Sequence, residues 1–129
     1  RLTNVFNRGY FNNRLESDVA FALRHGKPLS LLMIDVDGLR QFNDRYGNEI
    51  GDLLLRELAQ RIEGTTRSED IFARYGGEEF ALICRDVDAL KASRAGERVL
   101  DLIRGRPFQV DGHSLNLTVS LGAADLAQL

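Results

Sequence analysis

Two adjacent glycines, Gly76 and Gly77, separate two short apolar segments in the second half of the chain. The flanking segments, 71–75 and 78–84, have the length and the apolar content of β-strands. A glycine pair in this position is a strong signal for a β-hairpin, because tight hairpin turns need positive φ angles. The sequence therefore predicts an antiparallel strand pair with its turn at 76–77.

Apolar periodicity predicts the elements around this hairpin. Residues that recur at helical spacing indicate helices, and short apolar runs bounded by glycine or proline indicate strands. The expected elements are helices over 10–25, 39–46, 50–62 and 90–103, and strands over 29–35 and 115–122, with a turn at Asp111-Gly112. The order β-α-β-β-α-β predicts an α/β (α+β) fold of the ferredoxin-like or palm-like split βαβ type, with a central, mostly antiparallel sheet flanked by helices.

This fold predicts that two carboxylates meet at one edge of the sheet. A right-handed crossover makes the strand over 29–35 parallel to the first hairpin strand, with the second hairpin strand antiparallel between them. Asp35 and Glu78 then become neighbours. Two unpaired carboxylates repel each other unless a cation or a proton lies between them, and Mg²⁺ prefers one or two carboxylates together with water and phosphate oxygens. The pair predicts a metal site for a nucleotide triphosphate; the alternative is a solvated turn with surface acids.

The composition limits the classes of partner. The chain has 129 residues, of which 43% are hydrophobic, and this is enough for one domain with its own core. Its formal net charge of −2 gives no basic field for a nucleic acid polymer or an anionic membrane. No apolar run reaches the roughly 18 residues of a membrane helix, and the one cysteine excludes an internal disulfide. We therefore expect a soluble domain that works in the cytoplasm.

Four sequence blocks together resemble the GGDEF-domain diguanylate cyclases. The string Arg-Tyr-Gly-Gly-Glu-Glu-Phe at 74–80 is similar to the signature of that family, in its Glu-for-Asp variant. The other blocks are similar to the opening motif, the second motif and the late strand of the family, and lie at 2–8, 35–52 and 118–122. The blocks occur in the family's order and span nearly the whole chain.

The resemblance implies a reaction and its partners. Such domains condense two GTP molecules into cyclic di-GMP and release pyrophosphate, with Mg²⁺ or Mn²⁺ as the metal. Each domain holds one GTP, and the 3′-hydroxyl of each GTP attacks the α-phosphate of the other. A second copy of the domain is therefore an expected partner. Two metal ions can clamp the attacking and the leaving oxygens of such an in-line displacement.

The same resemblance implies roles for the acidic residues. Asp35 and Glu78 correspond to metal ligands, together with the backbone carbonyl of Val36, and Glu78 is also the candidate general base. Glu79 corresponds to a supporting catalytic residue. Asp37, the second acid of the Asp-Val-Asp string, is expected to be structural.

Further positions correspond to substrate-binding residues of the family. Asn43 and Asp52 match the positions that read guanine, because an aspartate accepts from the N1–H and the exocyclic amine of that base. Arg40 stands where the family usually has lysine, near a terminal phosphate. Gly76 and Gly77 let the backbone approach the nucleotide. For Asn43 and Asp52 the alternatives are a turn residue and an exposed helix acid.

Arg67 and Asp70 match the family's Arg-x-x-Asp inhibitory site, which binds the product cyclic di-GMP. Arginine pairs with a phosphate or with a guanine edge, and aspartate accepts from guanine N–H groups. The alternative is a salt bridge between residues three apart.

Two departures from the family bear on the domain boundaries. Relatives continue past the late strand into a helix with basic residues that hold the triphosphate, and this sequence stops at Leu129. The aspartate that opens the first motif is also absent, because the sequence begins at Arg1. We expect 1–129 to be a single GGDEF-type domain from a longer protein, without the family's C-terminal helix. Two alternatives to the cyclase are a non-catalytic module that binds GTP or cyclic di-GMP, and a structural dimerisation domain.

Overall fold

The computed structural model describes residues 5–126 of the chain. Leu2 and Thr3, which belong to the opening motif, lie outside the described residues. Within 5–126 the helices are α1 (Arg8–His25), α2 (Leu39–Tyr46), α3 (Asn48–Glu63) and α4 (Ala89–Arg104). The strands are β1 (Leu29–Val36), β2 (Ile71–Arg74), β3 (Glu79–Arg85), β4 (Phe108–Val110), β5 (His113–Leu115) and β6 (Val119–Asp125).

The main sheet has the strand order β2-β3-β1-β6, with every neighbouring pair antiparallel. β1 and β2 are therefore parallel to each other, and β3 lies antiparallel between them. This arrangement confirms the predicted fold class, because the sheet is antiparallel at its centre and helices flank it. β4 and β5 form a separate two-stranded sheet.

The two faces of the sheet carry different cores. Side chains alternate along a strand, and in β1 the residues Leu32, Ile34 and Val36 belong to the core shared with α3 and α4. Leu31 and Met33 pack against the second core, which includes Phe11 and Ala22 of α1. The sheet therefore separates the α3–α4 layer from the α1 layer. Among the described residues, no helix has both the length and the apolarity that crossing a membrane requires.

Local signals set the ends of α1. The side chain of Asn7 accepts a hydrogen bond from the backbone N–H of Tyr10 at 2.8 Å, so Asn7 is the N-cap and the helix begins earlier than the expected residue 10. Gly26 ends the helix with φ 62°, a left-handed conformation that favours glycine. The predicted stop at Gly26 is confirmed.

The predicted strand over 115–122 is wrong, because this segment contributes to two different sheets. Leu115 ends β5 and pairs with Phe108 across the turn at Asp111-Gly112. The chain then crosses to the main sheet, where β6 begins at Val119 and pairs with β1. Alternation of apolar residues continues through both strands, so the pattern alone does not show that the pairing partner changes.

The hairpin is confirmed, but its predicted tight turn with positive φ angles is wrong. Positive φ angles occur at other glycines and not at Gly76 or Gly77. The backbone N–H groups of Tyr75 and Gly76 both donate to the carbonyl of Glu79, at 2.8 and 3.2 Å. The connection is therefore a wider loop over 75–78, and it leaves Glu78 outside β3.

The packing of α3 against the sheet can be tested by substitution. Leu58 is fully buried against the sheet, whereas Leu53, on the same helix, is 37% exposed. Leu58→Ala removes core contacts and leaves a cavity, so we expect it to lower the free energy of unfolding by about 2–5 kcal/mol. Leu53→Ala is the matched control and is expected to cost less than about 1 kcal/mol. Urea denaturation measures both, and equal losses would contradict this account of the core.

Candidate functional site

The register between β1 and β3 positions the carboxylates of the site. Asp35 lies directly opposite Glu79, and the backbone N–H of Val36 donates to the carbonyl of Glu78 at 2.9 Å. Val36 and Glu78 therefore form a hydrogen-bonded pair, and Asp35 and Glu79 form the adjacent, more closely spaced pair. The acids meet at one sheet edge, as the sequence predicts, but the residue facing Asp35 is Glu79, with Glu78 one position further along.

The charges at this edge are not balanced by ion pairs. Asp35, Glu78 and Glu79 are exposed, and within residues 5–126 none of the three takes part in a salt bridge. Like charges directly opposite each other on neighbouring strands are destabilising. The edge is therefore a place where a bound cation would relieve repulsion.

A cleft of about 620 Å³ opens beside the hairpin, between its loop and helices α2 and α3. It brings together six of the residues that the sequence singles out: Arg40, Asn43, Asp52, Gly77, Glu78 and Glu79. Asp35, Val36 and Gly76 do not line it. Asp35 and Val36 instead lie at the adjacent end of β1, and a Cβ on Gly76 would come within 2.9 Å of Glu79 Oε1.

Asn43 reaches the cleft through a close approach of α2 and α3. The two helices join at Gly47, whose φ of 92° makes a sharp corner. Asn43 Oδ1 then lies so close to Gly51 that a Cβ there would overlap it. This oxygen is buried and has no hydrogen-bond partner among the described residues. Gly51 therefore lets α3 approach α2 closely enough to enclose this oxygen, while Asn43 also lines the cleft.

Arg74 belongs to the site, although the sequence analysis did not assign it a role. It lines the cleft, and its Nη2 donates to the carbonyl of Gly77 at 2.8 Å. The guanidinium thereby ties the hairpin loop to the end of β2 and brings a positive charge to a cleft that also contains Asp44, Asp52 and Glu78. The sequence signal that could have identified Arg74 is its position within the Arg-Tyr-Gly-Gly string of the hairpin.

The donor set fits a hydrated divalent cation. Within residues 5–126, no group of three or more His, Cys, Asp or Glu side chains could hold a metal ion. Mg²⁺, however, is usually bound by one or two carboxylates and keeps water or phosphate oxygens as its other ligands. Asp35 and Glu78, at neighbouring positions of the β1–β3 register, can supply such an incomplete oxygen shell.

Asp37, at the same end of β1 as Asp35, has a structural role. Its two carboxylate oxygens accept hydrogen bonds from Ser120 Oγ at 2.7 Å and from Thr118 Oγ1 at 3.0 Å. Its backbone N–H also donates to the carbonyl of Thr118 at 3.0 Å. Because both oxygens are engaged, Asp37 joins the end of β1 to β6, which agrees with the structural role expected for it.

Arg67 and Asp70 form a charge-assisted pair away from the cleft. Arg67 donates to Asp70 Oδ1 through Nη2 at 2.9 Å and Nε at 3.2 Å, and its backbone N–H donates to Oδ2 at 2.9 Å. The hydrogen bond to Asp70 raises the pKa of Arg67. The salt bridge named as the alternative therefore exists, and it leaves Arg67 nearly half exposed.

The Arg67–Asp70 pair lines a cavity of about 330 Å³ between the 65–70 segment and α4. Three basic side chains that the sequence analysis did not single out line it too: Lys91, Arg94 and Arg98. The spacing of these residues along α4 was the signal that would have found them. This cavity and the cleft beside the hairpin share no lining residue.

Comparison with known proteins agrees with the geometry. Residues 1–128 match the family model described as diguanylate cyclase, GGDEF domain. The chain is 40% identical to the response regulator PleD of Caulobacter vibrioides, over 98% of this chain and 28% of that protein. It is 34% identical to the diguanylate cyclase DosC of Escherichia coli K12, over 95% of this chain and 27% of that protein. The chain thus spans little more than a quarter of the length of these relatives.

Solved structures show the same fold. The GGDEF domain of DgcB from Caulobacter crescentus, a structure in complex with c-di-GMP, superposes with a TM-score of 0.89 at 31% identity, covering 97% of this chain and 75% of that one. Diguanylate cyclases of this kind generally depend on a divalent metal ion. The match over nearly the whole chain, together with the signature hairpin beside the cleft, shows that the chain belongs to the GGDEF domain family of diguanylate cyclases.

Proposed function

We propose that this chain is the catalytic domain of a diguanylate cyclase, which condenses two GTP molecules into cyclic di-GMP and releases pyrophosphate. The observation that carries the proposal is the cleft, which collects Arg40, Asn43 and Asp52 beside Glu78 and Glu79. A purely structural dimerisation domain would have no need for an unpartnered amide oxygen and unpaired carboxylates around one cleft.

The α2–α3 side of the cleft is the proposed guanine site. Asp52 accepts from the N1–H and the exocyclic amine of guanine, and the side-chain amide of Asn43, which lines the same cleft, forms a further hydrogen bond to the base. Adenine does not offer those donors in that arrangement. A site that leaves buried polar groups unpaired rejects the wrong base more strongly than a site that discriminates by shape.

The hairpin side of the cleft is the proposed reaction site. Arg40 binds a terminal phosphate, and Asp35, Glu78 and the carbonyl of Val36 hold Mg²⁺ or Mn²⁺. When bound, the metal supplies positive charge to the phosphates and eases deprotonation of the attacking hydroxyl. Glu78 accepts the proton of the 3′-hydroxyl, the 3′ oxygen forms a bond to the α-phosphorus of the other GTP, and the bond to pyrophosphate breaks. Glu79 and Arg74 keep the loop and its carboxylates in place.

A second copy of the domain completes the reaction. The residues proposed for GTP lie in one cleft, so one copy positions one nucleotide. Each 3′-hydroxyl must reach an α-phosphate held elsewhere, and a facing copy brings the two GTP molecules together. Because the substrate is a nucleotide of the cytoplasm, the domain is proposed to work there.

We also propose that the Arg67–Asp70 cavity is a product site. A charged guanidinium beside a nearly buried carboxylate offers both a phosphate contact and an acceptor for guanine N–H groups. Lys91, Arg94 and Arg98 add positive charge for the phosphates of cyclic di-GMP. The product can bind there while GTP occupies the cleft, because the two cavities share no residue.

The domain is further proposed to need a downstream helix for full activity. The sheet face beside α1 carries Leu31 and Met33, which are only partly buried. A helix after residue 129 would cover this face and bring basic residues to the triphosphate. Remote binding contacts of this kind affect the rate as well as the affinity.

The first prediction concerns the metal. Asp35→Asn removes one of two facing charges, so in EDTA we expect the melting temperature to rise by about 1–5 °C. Mg²⁺ should raise the melting temperature of the unchanged protein and leave that of Asp35→Asn unmoved. Asp37→Ala is the control, because it loses two accepted hydrogen bonds and should melt lower. A lower melting temperature of Asp35→Asn in EDTA would contradict the repulsion.

The second prediction concerns catalysis. Glu78→Gln keeps the size of the side chain but removes the proposed base and metal ligand. In a protein that includes the native downstream residues, GTP and Mg²⁺ should give cyclic di-GMP, identified by mass, and Glu78→Gln should lower the rate at least 100-fold. Glu63→Gln, far from the cleft, is the control and should keep the rate. Turnover by Glu78→Gln at the unchanged rate would remove Glu78 from the mechanism.

The third prediction separates product binding from catalysis. Arg67→Ala loses a charge-assisted contact, so cyclic di-GMP should bind about 1.5–3 kcal/mol more weakly in a calorimetric titration. The initial rate with GTP should stay within about twofold. Arg104→Ala, at an exposed pair with Asp101, is the control and should bind the product normally. If Arg67→Ala bound cyclic di-GMP with unchanged affinity, the proposed product site would be contradicted, and the Arg67–Asp70 pair would be a structural salt bridge only.

A further inference from the structure

Tyr75, the first residue of the hairpin loop, is contacted by two side chains from the start of α1. The guanidinium carbon of Arg8 lies 4.6 Å from the centre of the Tyr75 ring. The buried ring of Phe11 meets the same ring edge-on, with 5.6 Å between the ring centres and 81° between the ring planes. A cation over the face of an aromatic ring is attracted by the negative charge of that face. Tyr75 therefore contacts both a charge and an aromatic ring of the same helix.

The backbone that leads into α1 is attached to the strand that leads into the loop. The N–H of Phe6 donates to the carbonyl of Phe72 at 3.0 Å, and the carbonyl of Phe6 accepts from the N–H of Arg74 at 2.9 Å. Arg8 follows Phe6 by two residues, and Tyr75 follows Arg74 by one. Both partners of the Arg8–Tyr75 contact are therefore fixed to the same pair of backbone hydrogen bonds.

Arg8 stands where its own helix does not favour a positive charge. It is the first residue of α1, and the first turn contains no acidic side chain. The N-terminus of a helix carries a partial positive charge, so a guanidinium there is unfavourable unless another group attracts it. Within residues 5–126, Arg8 takes part in no salt bridge. The face of Tyr75 is the attraction that the structure shows for this charge.

The Tyr75 ring joins the loop to α1, whereas the hydrogen bonds of the loop join it to the strands. The N–H of Tyr75 donates to the carbonyl of Glu79 at 2.8 Å, and the carbonyl of Glu78 accepts from the N–H of Val36 at 2.9 Å. Glu78, the proposed base and metal ligand, stands three residues beyond Tyr75 in this short loop. A change at the ring can therefore move the carboxylate on which the proposed reaction depends.

We propose that Arg8 is a positioning residue of the reaction, which holds the loop over 75–78 in its catalytic position by stacking on Tyr75. Neither Arg8 nor Tyr75 lines the cleft, so Arg8 acts through the loop and does not touch GTP. The inference rests on the proposed cyclase reaction, because it concerns the position of Glu78. Displacement of a reacting group lowers the rate even when the substrate is still bound.

The first test compares rates in a protein that includes the native downstream residues. A cation–π contact at an exposed site is worth about a two- to fivefold change in an equilibrium constant. Arg8→Gln removes the charge, so kcat for cyclic di-GMP formation should fall by about that factor, with KM for GTP unchanged. Arg8→Lys keeps the charge and should retain most of the rate. An unchanged kcat in Arg8→Gln, or an equal loss in Arg8→Lys, would overturn the proposal.

Arg14→Gln is the matched control for this test. Arg14 lies on the same helix and also faces a tyrosine ring, with its guanidinium carbon 6.0 Å from the centre of the Tyr10 ring. That ring does not belong to the hairpin loop. Arg14→Gln should therefore keep kcat, and a loss as large as that of Arg8→Gln would assign the effect to the charge of α1 instead of to the loop.

Amide hydrogen exchange tests the contact without turnover. The N–H groups of Tyr75 and Gly76 should exchange at least twofold faster in Arg8→Gln, while those of 31–34 in β1 keep their rates. In a Tyr75→Leu background, Arg8→Gln should add nothing, because the ring is already absent. Unchanged exchange at 75–76 in folded Arg8→Gln would overturn the positioning role. Faster exchange there, without any cyclic di-GMP from the unchanged protein, would confirm the hold on the loop and contradict the proposed function.

Discussion

The antiparallel register between β1 and β3 determines where the carboxylates of the site lie. It pairs Leu29 with Arg85 at one end and Asp35 with Glu79 at the other, and the bond from Val36 N–H to the Glu78 carbonyl extends it to the loop. A shift by one residue would move every side chain of β1 to the opposite face. Leu32 and Ile34 would then leave the α3–α4 core, so hydrophobic burial fixes the register and the register places the acids.

The sequence predicts much of this arrangement because most of its signals are local. The helix stop at Gly26 and the hairpin at 76–77 depend on the residues at those positions, and the structure contains both. The form of the hairpin loop does not follow from the two glycines, because the Glu79 carbonyl closes it from outside the turn. The prediction of one strand over 115–122 is wrong for a similar reason. Leu115 and Val119 continue one apolar pattern, but they belong to different sheets.

Pairings between distant residues were beyond sequence reasoning. Asp18 and Arg85, whose side chains form an ion pair, are 67 positions apart, and nothing in the helical pattern of α1 marks Asp18 as buried. The partial burial of Asn43 also depends on how closely Gly51 lets α3 approach α2. In each case the missing information is the relative placement of two elements, which tertiary packing decides.

The site keeps polar groups that stability alone would remove. The unpaired Asn43 Oδ1 and the facing charges of Asp35 and Glu79 both cost free energy in the free protein. Proteins violate their local rules mainly where function demands it. The contrast with Asp37 supports this interpretation, because Asp37 stands two residues from Asp35 and has both carboxylate oxygens engaged.

The placement of the two proposed sites restricts how product binding could affect catalysis. Arg67 Nη2 donates to the carbonyl of Arg85 at 2.7 Å, so β3 runs from the proposed product site to the hairpin. Its central residues, Phe80–Cys84, are all buried in close packing, and packed cores do not deform continuously. A shift of the acids along this strand is therefore an unfavourable route. Because the proposed reaction needs two clefts that face each other, a product bound at Arg67 can act instead by holding two copies in an arrangement where their clefts do not meet.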